Sequence, residues 1–187
     1  HMHGNGGRTA RVLADAAAAR AAAGSEPGPT EPAGGDAWRA NLVTDAAEVR
    51  AIAGSAATVA VLGIKPESRA EQPGHFVAAY LAGAGVDVIP VPTLYPDVTT
   101  ILGKPVVRDL RELPHVDILD VFRKPSDVDA HVCDILAMPS RPAVVWLQSG
   151  IRAPCAEEAL ARAGIRVVAD RCLLVEHRAA AAAGSRL

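Results

Sequence analysis

The loop GIKPESRAEQPGH, Gly63 to His75, carries Lys65, Ser68 and Arg69 and runs into a helix start at Pro73-Gly74-His75. Free N–H groups at a helix N-terminus, with the helix dipole behind them, favour an anion, and basic side chains add charge. A diphosphate is the natural guest. The competing reading is a set of solvated loop charges. The loop is neither G-x-G-x-x-G nor G-x-x-x-x-G-K-[ST]. The next apolar run ends Val-Ile-Pro-Val-Pro-Thr, without an acid for a ribose 2′-hydroxyl, so ordinary NAD binding is disfavoured. Pro90 and Pro92 stiffen that turn and shape an apolar wall for adenine or a similar flat group.

Other residues could do chemistry. Cys172, Glu176 and His177 are the best catalytic candidates. Cys172 and His177 are five positions apart and meet only if the segment turns, so packing and surface hydrogen bonds are the preferred reading. Asp170 and Arg171 could equally form a structural ion pair. His131 and Cys133 have no second pair at zinc-ligand spacing, which argues against a metal site. Trp146 reads as core, and His115 beside Pro114 as a surface loop histidine.

These residues need elements to position them, and the pattern alternates regularly. Thr58–Gly63 (TVAVLG) is a β-branched apolar run suited to a strand buried on both faces. Four more runs follow: VDVIPV, VDILDVF (Val116 to Phe122), AVVWLQ (Ala143 to Gln148) and IRVVA. Helical segments separate most of them: PGHFVAAYLAGAG, PSDVDAHVCDILA and PCAEEALARAG. Another, TDAAEVRAIA, precedes the first strand with Thr44 as its N-cap. Strands joined by helix-length crossovers predict an α/β fold, a doubly wound parallel five-stranded sheet. In such a sheet ligands bind outside the carboxyl ends of the strands, where the loops named above lie.

The chain has 187 residues, 50% of them apolar and 21% charged, an ordinary globular composition. A formal charge of -2 and 3% aromatics argue against nucleic acid as a partner. No apolar run approaches the roughly 20 residues of a membrane span. Three cysteines without close pairing point to a reducing, cytoplasmic setting. His1-Met2 reads as a remnant of cloning. Residues 1–37 are expected to be an Ala-rich, partly disordered extension (Arg8 to Ala23) and a Gly/Pro linker (Gly24 to Asp36). The domain is expected over 38–178, with 179–187 a frayed tail.

TVAVLG, GHFVAAYL, VDVIPVP, VDILDVFRKP, VVWLQSGI and ADRCLLVEH, in this order, closely resemble the small stand-alone CoA-binding protein family. Its domain is similar to the N-terminal domain of the succinyl-CoA synthetase alpha subunit. The resemblance spans roughly Thr44 to Arg178 and implies a Rossmann-like domain binding coenzyme A across the strand ends. It implies that Gly63, Ile64, Lys65, Ser68 and Arg69 form the diphosphate loop, with His75 opening the helix beneath it. Val91, Pro92 and Thr93 would border the nucleotide. Phe122, Arg123 and Lys124 would follow strand three, the basic pair meeting phosphate and Phe122 an apolar face. Gln148, Ser149 and Gly150 would line the pantetheine path. Two features depart from the pattern: Pro92-Thr93-Leu94 stands where many relatives have Asn, and the long first loop carries Glu67 and Glu71.

CoA supplies what Arg123 and Lys124 would meet and NAD lacks, a 3′-phosphate; the plainer reading pairs Arg123 with Asp120 or Asp127. The leading expectation is a non-catalytic module binding CoA or an acyl-CoA. The alternative is an enzyme or enzyme subunit acting on an acyl-CoA thioester through Cys172 and His177. The chain is too short for the phosphohistidine domain and nucleotide-grasp subunit of the synthetases. A homodimer and a partner enzyme both stay open.

Overall fold

The computed structural model describes residues 35–184. The chain divides after Gly35, and every described helix and strand belongs to the unit that starts at Asp36. The expected Ala-rich helix, Arg8 to Ala23, lies outside the described residues.

Five parallel strands form the sheet: β1 (Thr58–Leu62), β2 (Asp87–Val91), β5 (Ile118–Val121), β6 (Val144–Leu147) and β7 (Arg166–Val168), in the order β2-β1-β5-β6-β7. This is the doubly wound α/β arrangement that the alternation predicts. Successive side chains point to opposite faces, so each strand feeds two cores. Ala60, Leu62, Leu119, Val121, Val145 and Leu147 pack on one face against α3 (Pro125–Leu136) and α4 (Pro154–Arg162). Val59, Val61, Ile118, Val144 and Trp146 pack on the other, against α1 (Ala46–Ser55) and α2 (Pro73–Gly83). Helix α5 (Leu173–Gly184) lies on this second face too, through Leu173.

Local chemistry fixes the helix starts. Pro73, Pro125 and Pro154 open α2, α3 and α4 at the position where a missing N–H costs nothing. For α1 the cap is Asp45 and not Thr44: its carboxylate accepts the Glu48 N–H at 2.8 Å.

Two features differ from expectation. Helix α5 continues to Gly184 instead of fraying after Arg178. It packs along α1, and a Cβ on Gly54 would stand 2.6 Å from the Ala180 Cβ. Residues too small to make a core alone become a helix face because the facing position has no side chain. Between β2 and β5 a small hairpin appears, β3 (Thr100–Ile101) with β4 (Lys104–Pro105). Leu102 (φ 52°) and Gly103 (φ 71°) make its two-residue turn, and Ile101 sinks into the second core.

The sheet borders are tied. Val43 donates its N–H to the Val167 carbonyl at 2.8 Å beside β7, and Val107 donates to the Pro90 carbonyl at 2.9 Å beside β2. Lys104 pairs with Asp87 on that second border. Crossing from β2 back over β1 to β5 reverses the winding, so the loops after β1 and β5 diverge at their carboxyl ends.

Candidate functional site

The chain turns sharply after β1 at Gly63, whose φ is 88° and whose N–H donates to the Val91 carbonyl at 2.8 Å. A Cβ there would sit 2.4 Å from the Phe122 carbonyl oxygen, so glycine alone lets the loops after β1 and β5 touch. Ile64 is buried beneath the loop. Lys65 donates its N–H to the Gly74 carbonyl at 3.1 Å. The Lys65 carbonyl in turn accepts from His75 Nδ1 at 2.9 Å. A carbonyl can only accept, so the His75 tautomer carries its proton on Nδ1. His75, 6% exposed, is thus a clasp that holds the loop to the first turn of α2.

The rest of that loop swings outward. Ser68 and Arg69 sit exposed on the 3-10 turn Glu67–Arg69 and line neither crevice described below. Glu67 accepts the Leu102 N–H at 2.7 Å, so its carboxylate ties the loop to the hairpin.

A crevice of about 470 Å³ opens where the loops diverge. Gln72, Pro73 and Gly74 from the start of α2 form one wall, with Phe76 and Val77 behind them. Phe122, Arg123, Lys124 and Pro125, leading into α3, form another. Gln148, Ser149, Ile151 and Cys172 close the far side. Among the described residues no side chain caps α2 or α3. The Gly74 N–H has no partner among the described residues. Two helix N-termini therefore meet this space with their partial positive charge unanswered. Lys65 and Lys124 stand beside them, each without a carboxylate partner among the described residues; Lys65 Nζ lies 5.7 Å from the Tyr95 ring centre.

Arg123 behaves differently. It donates to Asp127 Oδ2 at 3.0 Å, Thr93 Oγ1 at 2.8 Å and His131 Nε2 at 3.2 Å. Of the two carboxylates considered from sequence, Asp127 is its partner, and its guanidinium braces the loop after β2 against α3. Burial first, then the Arg123 charge, pushes His131 below its ordinary value. A neutral imidazole is also what accepting from Arg123 requires.

Asp120 lies under the crevice floor, 0% exposed, paired through β5 with Val61 and Trp146. Its carboxylate oxygens accept from Gln148 Nε2 at 2.9 and 3.1 Å. Burial pushes this carboxyl up to about 8, against the pull of the Gln148 and Val121 hydrogen bonds. Gln148, 4% exposed, is thereby oriented. Its Oε1 has no partner among the described residues, yet no buried side-chain oxygen or nitrogen there is left unpaired, so that oxygen is open to the crevice its residue lines. The next loop holds a further tie: Gly150 donates its N–H to Asp170 Oδ1 at 2.7 Å.

A second crevice, also about 470 Å³, opens on the α3 face beside Leu62, Val91, Pro92 and Thr93. Arg108, Asp109, Leu110, Arg111, His131 and Asp134 complete it. Arg108 donates to the Tyr95, Pro96 and Val98 carbonyls at 2.9, 3.2 and 2.7 Å, pinning the loop after β2.

The C-terminal cluster does not form a Cys–His pair. His177 Nδ1 meets the Tyr80 hydroxyl at 3.1 Å, and Arg171 pairs with Glu176 at 3.5 Å instead of with Asp170. Trp146, fully buried as expected, donates Nε1–H to the Arg171 carbonyl at 2.7 Å and so fixes the backbone beside Cys172. His115 is exposed and meets Ser140.

Sequence reasoning named Asp120 only as a possible partner of Arg123 and missed its burial and its bond to Gln148, far along the chain, as well as the hairpin side of the second crevice. Gln72, Pro73 and Gly74 were visible only as a helix start. Among the described residues no helix is long and apolar enough to cross a membrane.

A family described as the CoA binding domain matches residues 57–178. Among curated proteins, "Uncharacterized protein YneT" of Bacillus subtilis (strain 168) is 29% identical over 132 residues, 70% of this chain and 93% of that protein. A solved Thermus thermophilus protein, "cell-free ID.343", is 45% identical with a TM-score of 0.65, over 73% of this chain and 99% of that one. A "hypothetical protein from Pyrococcus horikoshii OT3" is 25% identical with a TM-score of 0.63, over 74% and 93%.

Proposed function

The chain belongs to the CoA binding domain family, and from that premise we propose that it holds coenzyme A or an acyl-CoA across the carboxyl ends of β1, β5 and β6 without turning it over. One observation carries the reading. Two helix N-termini without a side-chain cap and two lysines, Lys65 and Lys124, without a carboxylate partner among the described residues face one end of a crevice whose remainder is largely apolar. That combination suits a diphosphate joined to a thin organic arm. The Gly74 N–H and Lys65 take the diphosphate, with Gly63, Ile64 and His75 holding the loop in shape. Lys124 supplies a further cation. The adenosine rests in the second crevice against Val91, Pro92 and Thr93. Arg123 divides the two spaces. The arm then crosses Phe122 toward Gln148, Ser149 and Gly150, where Gln148 Oε1 accepts an amide N–H of pantetheine. Ser68 and Arg69 have no contact in this pose. Thioester chemistry through Cys172 and His177 is the weaker reading, because His177 is engaged by Tyr80.

Titration calorimetry of the full chain with CoA, acetyl-CoA, NAD and ATP tests the proposal. CoA and acetyl-CoA are expected to bind, and NAD and ATP to bind far more weakly. Each of Lys65→Ala and Lys124→Ala should weaken CoA roughly 10-fold or more, as for a lost charge-assisted phosphate contact. Arg69→Ala should leave affinity within about two-fold. Equal affinity for NAD, or lysine variants that bind unchanged, would overturn the pose.

A further inference from the structure

The apolar end of the first crevice holds a thiol that the binding reading leaves without work. Cys172 lines it, half-buried, whereas Cys133 and Cys155 are exposed on the helices α3 and α4. Its backbone is fixed. Arg171 donates its N–H to the Leu147 carbonyl at 3.3 Å while its own carbonyl accepts from Trp146, which sets Cys172 beside the carboxyl end of β6. The cations and the free Gly74 N–H lie at the β1 and β5 end. One to two strand spacings, roughly 5–10 Å, separate the ends.

A second group marks the path between them. Gln148 is 4% exposed, its Nε2 is held by Asp120, and its Oε1 opens into the crevice without a partner among the described residues. An unpaired carbonyl on an otherwise apolar wall calls for a ligand N–H. The pantetheine arm carries two amides and has about thirteen bonds between phosphorus and sulfur. At the extension of a peptide chain that reaches roughly 15 Å. An arm anchored by its phosphates at Lys65 and passing Gln148 brings its sulfur to Cys172.

We propose that Cys172 is a site of mixed-disulfide formation with coenzyme A bound in this crevice, formed by exchange with CoA disulfide; this rests on the CoA reading above. The Cys172 thiolate attacks the near sulfur of the disulfide, and its proton goes to solvent. The sulfur–sulfur bond of the reagent breaks as the Cys172–CoA bond forms, and the second CoA leaves as thiolate. Electrons balance without another oxidant. The leaving half needs no pocket, because Cys172 is only half-buried and the crevice opens to solvent there. A free thiol reverses the step.

The test is intact-mass and peptide-mapping spectrometry of the reduced full chain after incubation with CoA disulfide. The expected result is a single CoA adduct on Cys172, formed at least roughly ten-fold faster than on Cys133 or Cys155, because the bound arm raises local concentration. It should be removed by dithiothreitol and absent in Cys172→Ser. Pantethine has the same arm and disulfide but no phosphates, and should react at least roughly ten-fold more slowly. Labelling that follows exposure, with Cys133 or Cys155 first, overturns the proposal, as does equal reactivity of pantethine. Calorimetry of the reduced protein with CoA separates the two failures. Binding without an adduct removes only the Cys172 assignment, and no binding removes the CoA reading with it.

Discussion

Replacing Asp120 by Asn should change how stability depends on pH. In the native protein this carboxyl lies wholly inside the sheet and is pushed from 3.8 up to about 8, first by burial. The folded-state value is therefore raised above the unfolded one. Below the unfolded value both states are protonated and the contribution is fully present. Between the two values the unfolded chain has released a proton that the native state keeps, so stability falls as pH rises, by up to about 1.4 kcal/mol per pH unit. Across the whole window the ceiling is on the order of 5 kcal/mol, lowered in practice by any water the strand admits. Asn keeps the shape and still offers an oxygen to Gln148 Nε2, but it cannot ionise. Guanidinium unfolding at several points from pH 5 to 8.5 reads the effect. The natural chain has lost only about 1.6 kcal/mol of this at pH 5, so the advantage of Asp120→Asn should be small there and grow by several kcal/mol, on the order of 4, toward pH 8. Parallel pH curves for the two proteins would refute the reasoning, since they would mean that Asp120 ionises as it does in water.

Two further substitutions test the packing. Gly63→Ala puts a Cβ 2.4 Å from the Phe122 carbonyl at a φ of 88°, and should lower unfolding stability by roughly 2–4 kcal/mol; a loss below about 0.5 kcal/mol would mean that the loops after β1 and β5 are not in contact. Gly54→Ala meets Ala180 at 2.6 Å and should cost about 1–3 kcal/mol in the same assay. Adding Ala180→Gly should recover most of that loss, and simple additivity of the two changes would show that α1 and α5 do not touch there.

The sheet was readable because its strands are short β-branched runs punctuated by glycine, and because proline marks the first turn of three helices. What escaped depends on partners distant in sequence. Asp120 sits in the run VDILDVF beside a second acid, Asp117, and nothing in that pattern tells the buried one from the other or points to Gln148 as its partner. The hairpin strands are two residues each, too short for alternation to register. The Ala-rich C-terminal segment lacks an apolar stripe, and its docking depends on Gly54. At the site, the i+4 spacing made Asp127 a visible partner for Arg123, whereas Thr93 and His131 were not. Lys65 and Arg69 look alike in sequence. A 3-10 turn between them sends Arg69 out to solvent while Lys65 stays at the crevice.

The ties at the rims of the sheet bear on how this molecule can meet others. A strand with open donors and carbonyls recruits strands from other chains, and long bare ones invite fibrils. Here Pro90 contributes no N–H, and its carbonyl is already taken by Val107. At the opposite rim Val43 plays the same part toward Val167. Association by adding strands therefore has to displace a bond at either rim, which steers any self-assembly toward the helical flanks. Cutting the chain back past Val43 would undo that protection on one side.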